Sequence, residues 1–335
     1  MSEAAQSRDS ERAPPSSPHA PAGAVPHAPA RQPRTNLQER LITAGILIPL
    51  VCGVIVLGGW WLLLLILVIT GIAINEFYQL IEAKGAVPVR GVGTVAALAL
   101  PVIAYIGSEY LATLTLSMVL LGLMIAQLRK KQISESLASI SETFFGVFYV
   151  GWLLSHAIVL REFKDSVAGR WGGVIARELH DDVGAFYLFF VIAVVIMGDV
   201  GAYFTGRKFG KSKLAPEVSP NKTIEGAYGA VGGAIAMGLV LKGLFDWLAP
   251  QLSAQLSWGF VLFLAPVLAA VGIVGDLVES LLKRDAQVKD TGTLLPGTGG
   301  VLDRIDSNLL GIPVMYYFLL AYTYLSSVST RIATP

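Results

Sequence analysis

Charge is what this chain has least of. Only 15% of its 335 residues are Asp, Glu, Lys or Arg, against 54% that are hydrophobic, a balance outside the range of soluble globular domains. The two signs nearly cancel: 25 basic and 24 acidic residues leave a net charge of +1. No basic field is therefore available to attract nucleic acid. Cysteine is almost absent as well. Cys52 stands alone in an apolar segment, so internal disulfides are excluded and it reads as a small packing residue. Repeat symmetry between halves, common in secondary transporters, is missing: the charged motifs all follow residue 198, and the first five apolar segments are nearly featureless.

The first 33 residues have little apolar content. Pro14, Pro15, Pro18, Pro21, Pro26, Pro29 and Pro33 are scattered among Ala, Ser and charged residues. Such a segment cannot bury enough surface to offset its ordering entropy, and it lacks the apolar core and cleavage site of a signal peptide. Residues 1–38 are expected to form a disordered cytoplasmic tail, and residues 39–335 a transmembrane catalytic domain.

What is present in abundance is apolar run length. Hydropathy predicts an all-α polytopic membrane protein of about nine helices, near 41–57, 60–82, 92–107, 110–127, 139–160, 185–206, 224–245, 257–282 and 307–328. Positive charge orients them. Arg31, Arg34 and Arg40, Lys84 and Arg90, Arg129 to Lys131, Arg207 to Lys222, and Lys283 to Arg304 all fall on one side if the N-terminus is cytoplasmic. The other side holds mainly the mixed-charge loop 161–182.

Two polar stretches interrupt this pattern. In the first, Gly198–Gly226, Asp199 and Tyr203 share a helix face at i and i+4. Ser219 and Pro220 read as N-cap and N1 of the next helix, which would present free N–H groups beside Lys222 and Thr223 as a phosphate site. In the second, Asp276–Asp306, residues Asp276, Glu279, Ser280 and Lys283 form one stripe on an otherwise apolar helix. The stripe leads to Asp303 and Asp306. A charge at a bilayer centre costs at least ~2.5–3.5 kcal/mol on insertion scales, so this density of charge at a membrane edge calls for a polyanionic, metal-bound substrate. Carboxylates from separate segments suit Mg²⁺ bridged to phosphates.

The run Ser280, Leu282, Lys283, Arg284, Lys289, Asp290, Gly292, Leu295, Pro296, Gly299, Gly300, Val301, Asp303, Arg304, Ile305, Asp306 resembles the signature of the phosphatidate cytidylyltransferases, the CDP-diacylglycerol synthases. Asp199, Ala202, Tyr203 and Gly206, then Ser219, Pro220, Lys222, Thr223, Glu225 and Gly226, resemble the other half of that family's site. One position departs: Thr298 stands where the family has histidine.

The resemblance implies transfer of CMP from CTP to phosphatidic acid in a membrane, and a bacterial inner membrane is the expected setting. It implies Mg²⁺, with a second, monovalent cation left open, and leaves a homodimer open. Asp276 and Asp303 are the implied metal ligands, with Asp306 as a further one. Lys283 and Arg304 join Asp276 and Asp303 as catalytic candidates. Ser219, Lys222, Thr223, Arg284, Lys289, Asp199 and Tyr203 are the candidates for substrate binding. The rival readings are a CTP-dependent polyprenol or phytol kinase, and, from another class, a secondary transporter.

Overall fold

The computed structural model describes residues 37–129, 135–177, 179–292 and 299–333. The tail up to residue 36 lies outside these residues, as do Thr298 and the rest of 293–298.

Thirteen α-helices follow in order: α1 Leu37–Leu57, α2 Gly59–Ala83, α3 Arg90–Ile106, α4 Glu109–Leu128, α5 Ser136–Gly146, α6 Leu153–Arg161, α7 Phe163–Trp171, α8 Gly173–Ala176, α9 Val183–Phe209, α10 Ile224–Leu248, α11 Pro250–Ser253, α12 Trp258–Asp285 and α13 Leu302–Ala333. A π-helical segment, Val147–Trp152, joins α5 to α6 into one continuous rod. Strands β1 Lys213–Ala215 and β2 Ser219–Thr223 form an antiparallel hairpin between α9 and α10.

Seven helices among the described residues are long and apolar enough to cross a bilayer: Gly59–Ala83, Glu109–Leu128, Ser136–Arg161, Val183–Phe209, Ile224–Leu248, Trp258–Asp285 and Leu302–Ser327. Two shorter apolar helices, Gly45–Leu57 and Arg90–Ile106, lie where the remaining two spans are predicted. The chain is an all-α integral membrane protein. Helices dominate because a bilayer offers backbone N–H and C=O groups no partner except one another.

Glycine sets the closest helix pairing, α9 on α10. A Cβ added at Gly233 would lie 2.5 Å from the Met197 carbonyl oxygen, and one at Gly201 would collide with the Gly229 backbone. Small residues allow this approach, where dispersion between backbones replaces the absent hydrophobic drive. The wider core joins Ile74, Phe77 and Tyr78 of α2 to Phe186, Phe190 and Val194 of α9 and to Leu309, Met315 and Tyr316 of α13.

Each end of the bundle is tied by polar contacts. At one end Lys84 Nζ meets Asp285 Oδ2 at 2.6 Å. That hydrogen bond raises the Lys84 pKa above its ordinary value, against slight desolvation. At the other end Arg161, 8% exposed, donates to the carbonyls of Ile55 and Val56 and pairs with Asp182, so it closes the end of α1 against α6. Arg170–Glu109, Lys164–Asp181 and Lys242–Asp246 also pair there. The expected mixed-charge loop 161–182 contains helix α7 and spends its charge on acids nearby.

The reading of Ser219 as a helix N-cap is corrected. Residues 219–223 are extended, with Ala215 paired to Ser219 and Lys213 to Thr223. The cap is Thr223, whose Oγ1 accepts from the Gly226 N–H at 3.1 Å. The hairpin wins because Glu225 accepts from the backbone N–H groups of Lys211 and Ser212. That contact folds the incoming strand onto the first turn of α10, so the helix starts four residues later than Pro220 suggests.

Candidate active site

Between the hairpin and the adjoining ends of α9, α12 and α13 lies a cavity of about 680 Å³. Asp199 and Tyr203 from α9, Lys222 and Thr223 from β2, Asp276, Glu279 and Lys283 from α12, and Asp303, Arg304 and Asp306 from α13 all line it. Segments far apart in sequence therefore deliver most of the predicted site to one place. Ser219, Arg284 and Lys289 do not line it. Arg284 instead donates to the Val218 carbonyl at 3.3 Å and ties the hairpin to the end of α12.

Three carboxylates converge in the floor. Oxygens of Asp276, Glu279 and Asp306 all lie within 4.8 Å of one another. Asp276 and Glu279 come from adjacent turns of α12, and Asp306 from the first turns of α13. The two helices meet closely because Gly275 faces the Asp306 and Ser307 backbone, where a Cβ would sit 2.6 Å from the Asp306 carbonyl oxygen. Hard oxygen donors at this spacing fit a small divalent cation with room for water or substrate oxygens. The α12 stripe had exposed Glu279 in the sequence, but not as a member of this cluster.

The cations are distributed unequally. Lys222 Nζ lies 2.8 Å from Asp276 Oδ2, so the hairpin brings a positive charge to the edge of the acidic floor. Lys283 lies deeper. Its Nζ sits 2.5 Å from Glu279 Oε2 and 2.8 Å from Asp303 Oδ1. The Glu279 side chain is only 1% exposed, and burying a carboxylate costs several kcal/mol unless a partner offsets it. Lys283 supplies that partner and bridges α12 to α13.

Asp303 occupies a different position from the other acids. Its Oδ1 takes the Lys283 ammonium, while Oδ2 accepts from the Gly300 N–H at 2.8 Å and the Thr291 N–H at 3.1 Å. It organises the turn into α13 and stands outside the three-carboxylate cluster. Gly299, at φ 89°, allows that turn: a Cβ there would lie 2.6 Å from Asp303 Oδ2.

The first half of the chain is not featureless. Glu76, in the C-terminal half of α2, is 4% exposed. Its Oε1 accepts from the Val301 N–H at 3.0 Å and its Oε2 from the Leu302 N–H at 2.8 Å. No motif marks it; the one available signal is an acid within an apolar span, a turn and a half before Glu82 near the helix end.

A second hollow of about 430 Å³ shares Asp199, Tyr203, Asp303, Arg304 and Asp306 with the first and adds Ile196, Val200 and Phe204. These three apolar side chains are exposed on α9. The polar site therefore adjoins a surface suited to hydrocarbon.

An acidic cluster, a facing lysine hairpin and an apolar flank, all at one end of a helical bundle, mark an integral membrane protein with a polar site suited to a cation and phosphates. The chain belongs to the cytidylyltransferase family, whose sequence model matches residues 38–322. It is 30% identical to a Synechocystis protein named phosphatidate cytidylyltransferase, over 84% of this chain and 96% of the relative. It is 32% identical to phosphatidate cytidylyltransferase 4, chloroplastic, of Arabidopsis thaliana, over 85% of this chain and 74% of the relative. A Bacillus subtilis phosphatidate cytidylyltransferase is 45% identical over 43% of this chain and 51% of its own length.

Proposed function

We propose that this protein is a CTP:phosphatidate cytidylyltransferase that makes CDP-diacylglycerol and diphosphate for phospholipid synthesis. The observation that carries the reading is the cavity in which Lys222 faces Asp276, Glu279 and Asp306 beside the apolar flank of α9. Such a site suits one polyanionic, water-borne substrate and one phosphate carried on a lipid.

In the reaction a phosphatidate phosphate oxygen attacks the α-phosphorus of CTP. The bond between the α-phosphorus and the bridging oxygen breaks, and diphosphate leaves. The second ionisation of a phosphate ester lies near pH 6, so the nucleophile is already charged at neutral pH. What remains for the protein is positioning and charge neutralisation. Asp276, Glu279 and Asp306 would hold Mg²⁺, which supplies charge neutralisation at the phosphate oxygens. Lys222 and Arg304, which both line the cavity, are the cations assigned to phosphate oxygens. Lys283 holds Glu279 and Asp303 in register. Ile196, Val200 and Phe204 offer the acyl chains an apolar surface. The site end of the bundle faces the cytoplasm of a bacterial inner membrane, as the lysine and arginine bias supports.

The test supplies purified protein with CTP radiolabelled in the cytosine, Mg²⁺ and, in parallel mixed micelles, phosphatidate or an isoprenoid alcohol. The expected result is label in chloroform-soluble lipid that depends on phosphatidate and is accompanied by diphosphate. Label found only in CDP, with phosphate transferred to an isoprenoid alcohol, would point to a kinase and overturn the reading.

A further inference from the structure

Among the described residues, Glu76 of α2 reaches the backbone at the start of α13 across 225 residues of sequence. A helix leaves its first N–H groups without partners and carries partial positive charge at that end. For α13 the partner is this buried carboxylate: Oε1 takes Val301 and Oε2 takes Leu302. Thr291 Oγ1 reaches Oε2 at 3.5 Å. Two glycines give it room. A Cβ at Gly292 would lie 2.5 Å from Oε1, and one at Gly300 2.6 Å from Oε2. Glu76 thus grips the chain both before residue 293 and after residue 298. The residues that follow its two main-chain partners are Asp303, Arg304 and Asp306.

We propose that Glu76 is a positioning residue for the reaction: by capping α13 it fixes Asp306 against Asp276 and Glu279, and Asp303 against Lys283. It touches no substrate itself. Its carboxylate is required because two N–H groups point at two oxygens. Glutamine keeps only one acceptor and turns an NH₂ toward the other donor. Alanine leaves both donors buried and unpartnered. Loss of groups that orient metal-binding side chains typically costs about 10–100-fold in affinity or activity.

The inference rests on the cytidylyltransferase reading for its activity readout but not for its structural ones. The test compares the full-length wild type with Glu76→Gln and Glu76→Ala in detergent. It measures kcat and KM for CTP, the Mg²⁺ concentration that half-saturates thermal stabilisation without nucleotide, and amide exchange in peptides covering 300–306. In both variants kcat per folded molecule should fall at least tenfold, the Mg²⁺ midpoint should rise, and exchange at 300–306 should quicken. Wild-type kcat per folded molecule and an unmoved Mg²⁺ midpoint, even with a lower Tm, would overturn the proposal and leave Glu76 a purely structural cap. If neither variant folds, Gly292→Ala, which crowds the carboxylate without removing it, decides. The same changes support the proposal, and wild-type values overturn it. Should the wild type make no CDP-diacylglycerol, the functional reading fails, while the Mg²⁺ midpoint and exchange still decide the role of Glu76.

Discussion

Lys222 Nζ and Asp276 Oδ2 lie 2.8 Å apart, joining a two-stranded hairpin to the C-terminal third of a 28-residue membrane helix. The pair is partly exposed, at 21% and 36%, and both members line the cavity. The Lys222 Nζ is itself buried, but Asp276, at 36% exposed, keeps its solvent when the lysine is removed, so the pair contributes little to stability. Its placement makes sense as a lysine held by the acid until the phosphates of a ligand take the ammonium in its stead.

Lys222→Met should therefore lower kcat/KM for CTP by at least about 100-fold, or ~2.7 kcal/mol in transition-state stabilisation, with little change in Tm. Initial rates across a CTP series, beside a thermal melt, check both halves. A loss of less than threefold would mean that Lys222 does not hold the nucleotide.

Asp276 and Asp306 should separate by phenotype from Asp303, whereas Glu279, buried against the same Lys283, should share both effects. Asp276→Asn, Glu279→Gln and Asp306→Asn should each lower turnover by orders of magnitude and shift the Mg²⁺ requirement upward, since each removes charge from one donor set. EDTA should silence the wild type, and added Mg²⁺ should restore it. Asp303→Asn should also cost activity, but with a clear loss of stability. Its side chain is 8% exposed, and removing one partner of a buried charged pair costs ~3–5 kcal/mol. Melting curves of Asp276→Asn and Asp303→Asn side by side decide this; equal Tm values would contradict it.

The chemistry was more legible in the sequence than its scaffold. The signature carries Asp276, Lys283, Asp303, Arg304 and Asp306 within 31 residues, and the structure brings them into one cavity. Hydropathy found the membrane helices because the bilayer demands long apolar runs. It could not find the hairpin, since β1 and β2 hold only three and five residues. Their pairing depends on a contact from Glu225 that no periodicity reveals. The role of Glu76 was hidden for a different reason. Its partners are backbone N–H groups of a distant helix, which any sequence would present. Glu279 stood in a recognised stripe, yet only the approach of α13 turns a stripe of two acids into a cluster of three.

Helix packing around the site yields a paired test at adjacent glycines. Gly233 faces α9, where a Cβ would lie 2.5 Å from the Met197 carbonyl oxygen, whereas nothing lies within 4 Å of a Cβ at Gly232. Gly233→Val should push α9 from α10, lower the Tm by several degrees and impair activity by moving Asp199 and Tyr203 from Lys222. Gly232→Val should be tolerated, because its side chain would meet only open space. Equal behaviour of the two variants in melting and turnover would refute this packing account.

Sidedness follows from which loops share an end of the bundle. Lys84 pairs with Asp285 at the site end, and Arg161 pairs with Asp182 at the other. The hairpin and the loop around His180 therefore lie on opposite faces. Ser212 and His180 are both exposed, and Cys52 is the only native thiol. In a Cys52→Ser background, Ser212→Cys should resist an impermeant maleimide in intact cells and react after lysis. His180→Cys should react in intact cells. The lysine and arginine bias sets this direction because cytoplasmic loops retain positive charge during insertion. Labelling with the two positions exchanged would place the site outside, away from any cytoplasmic supply of CTP, and the proposed reaction would lose its substrate.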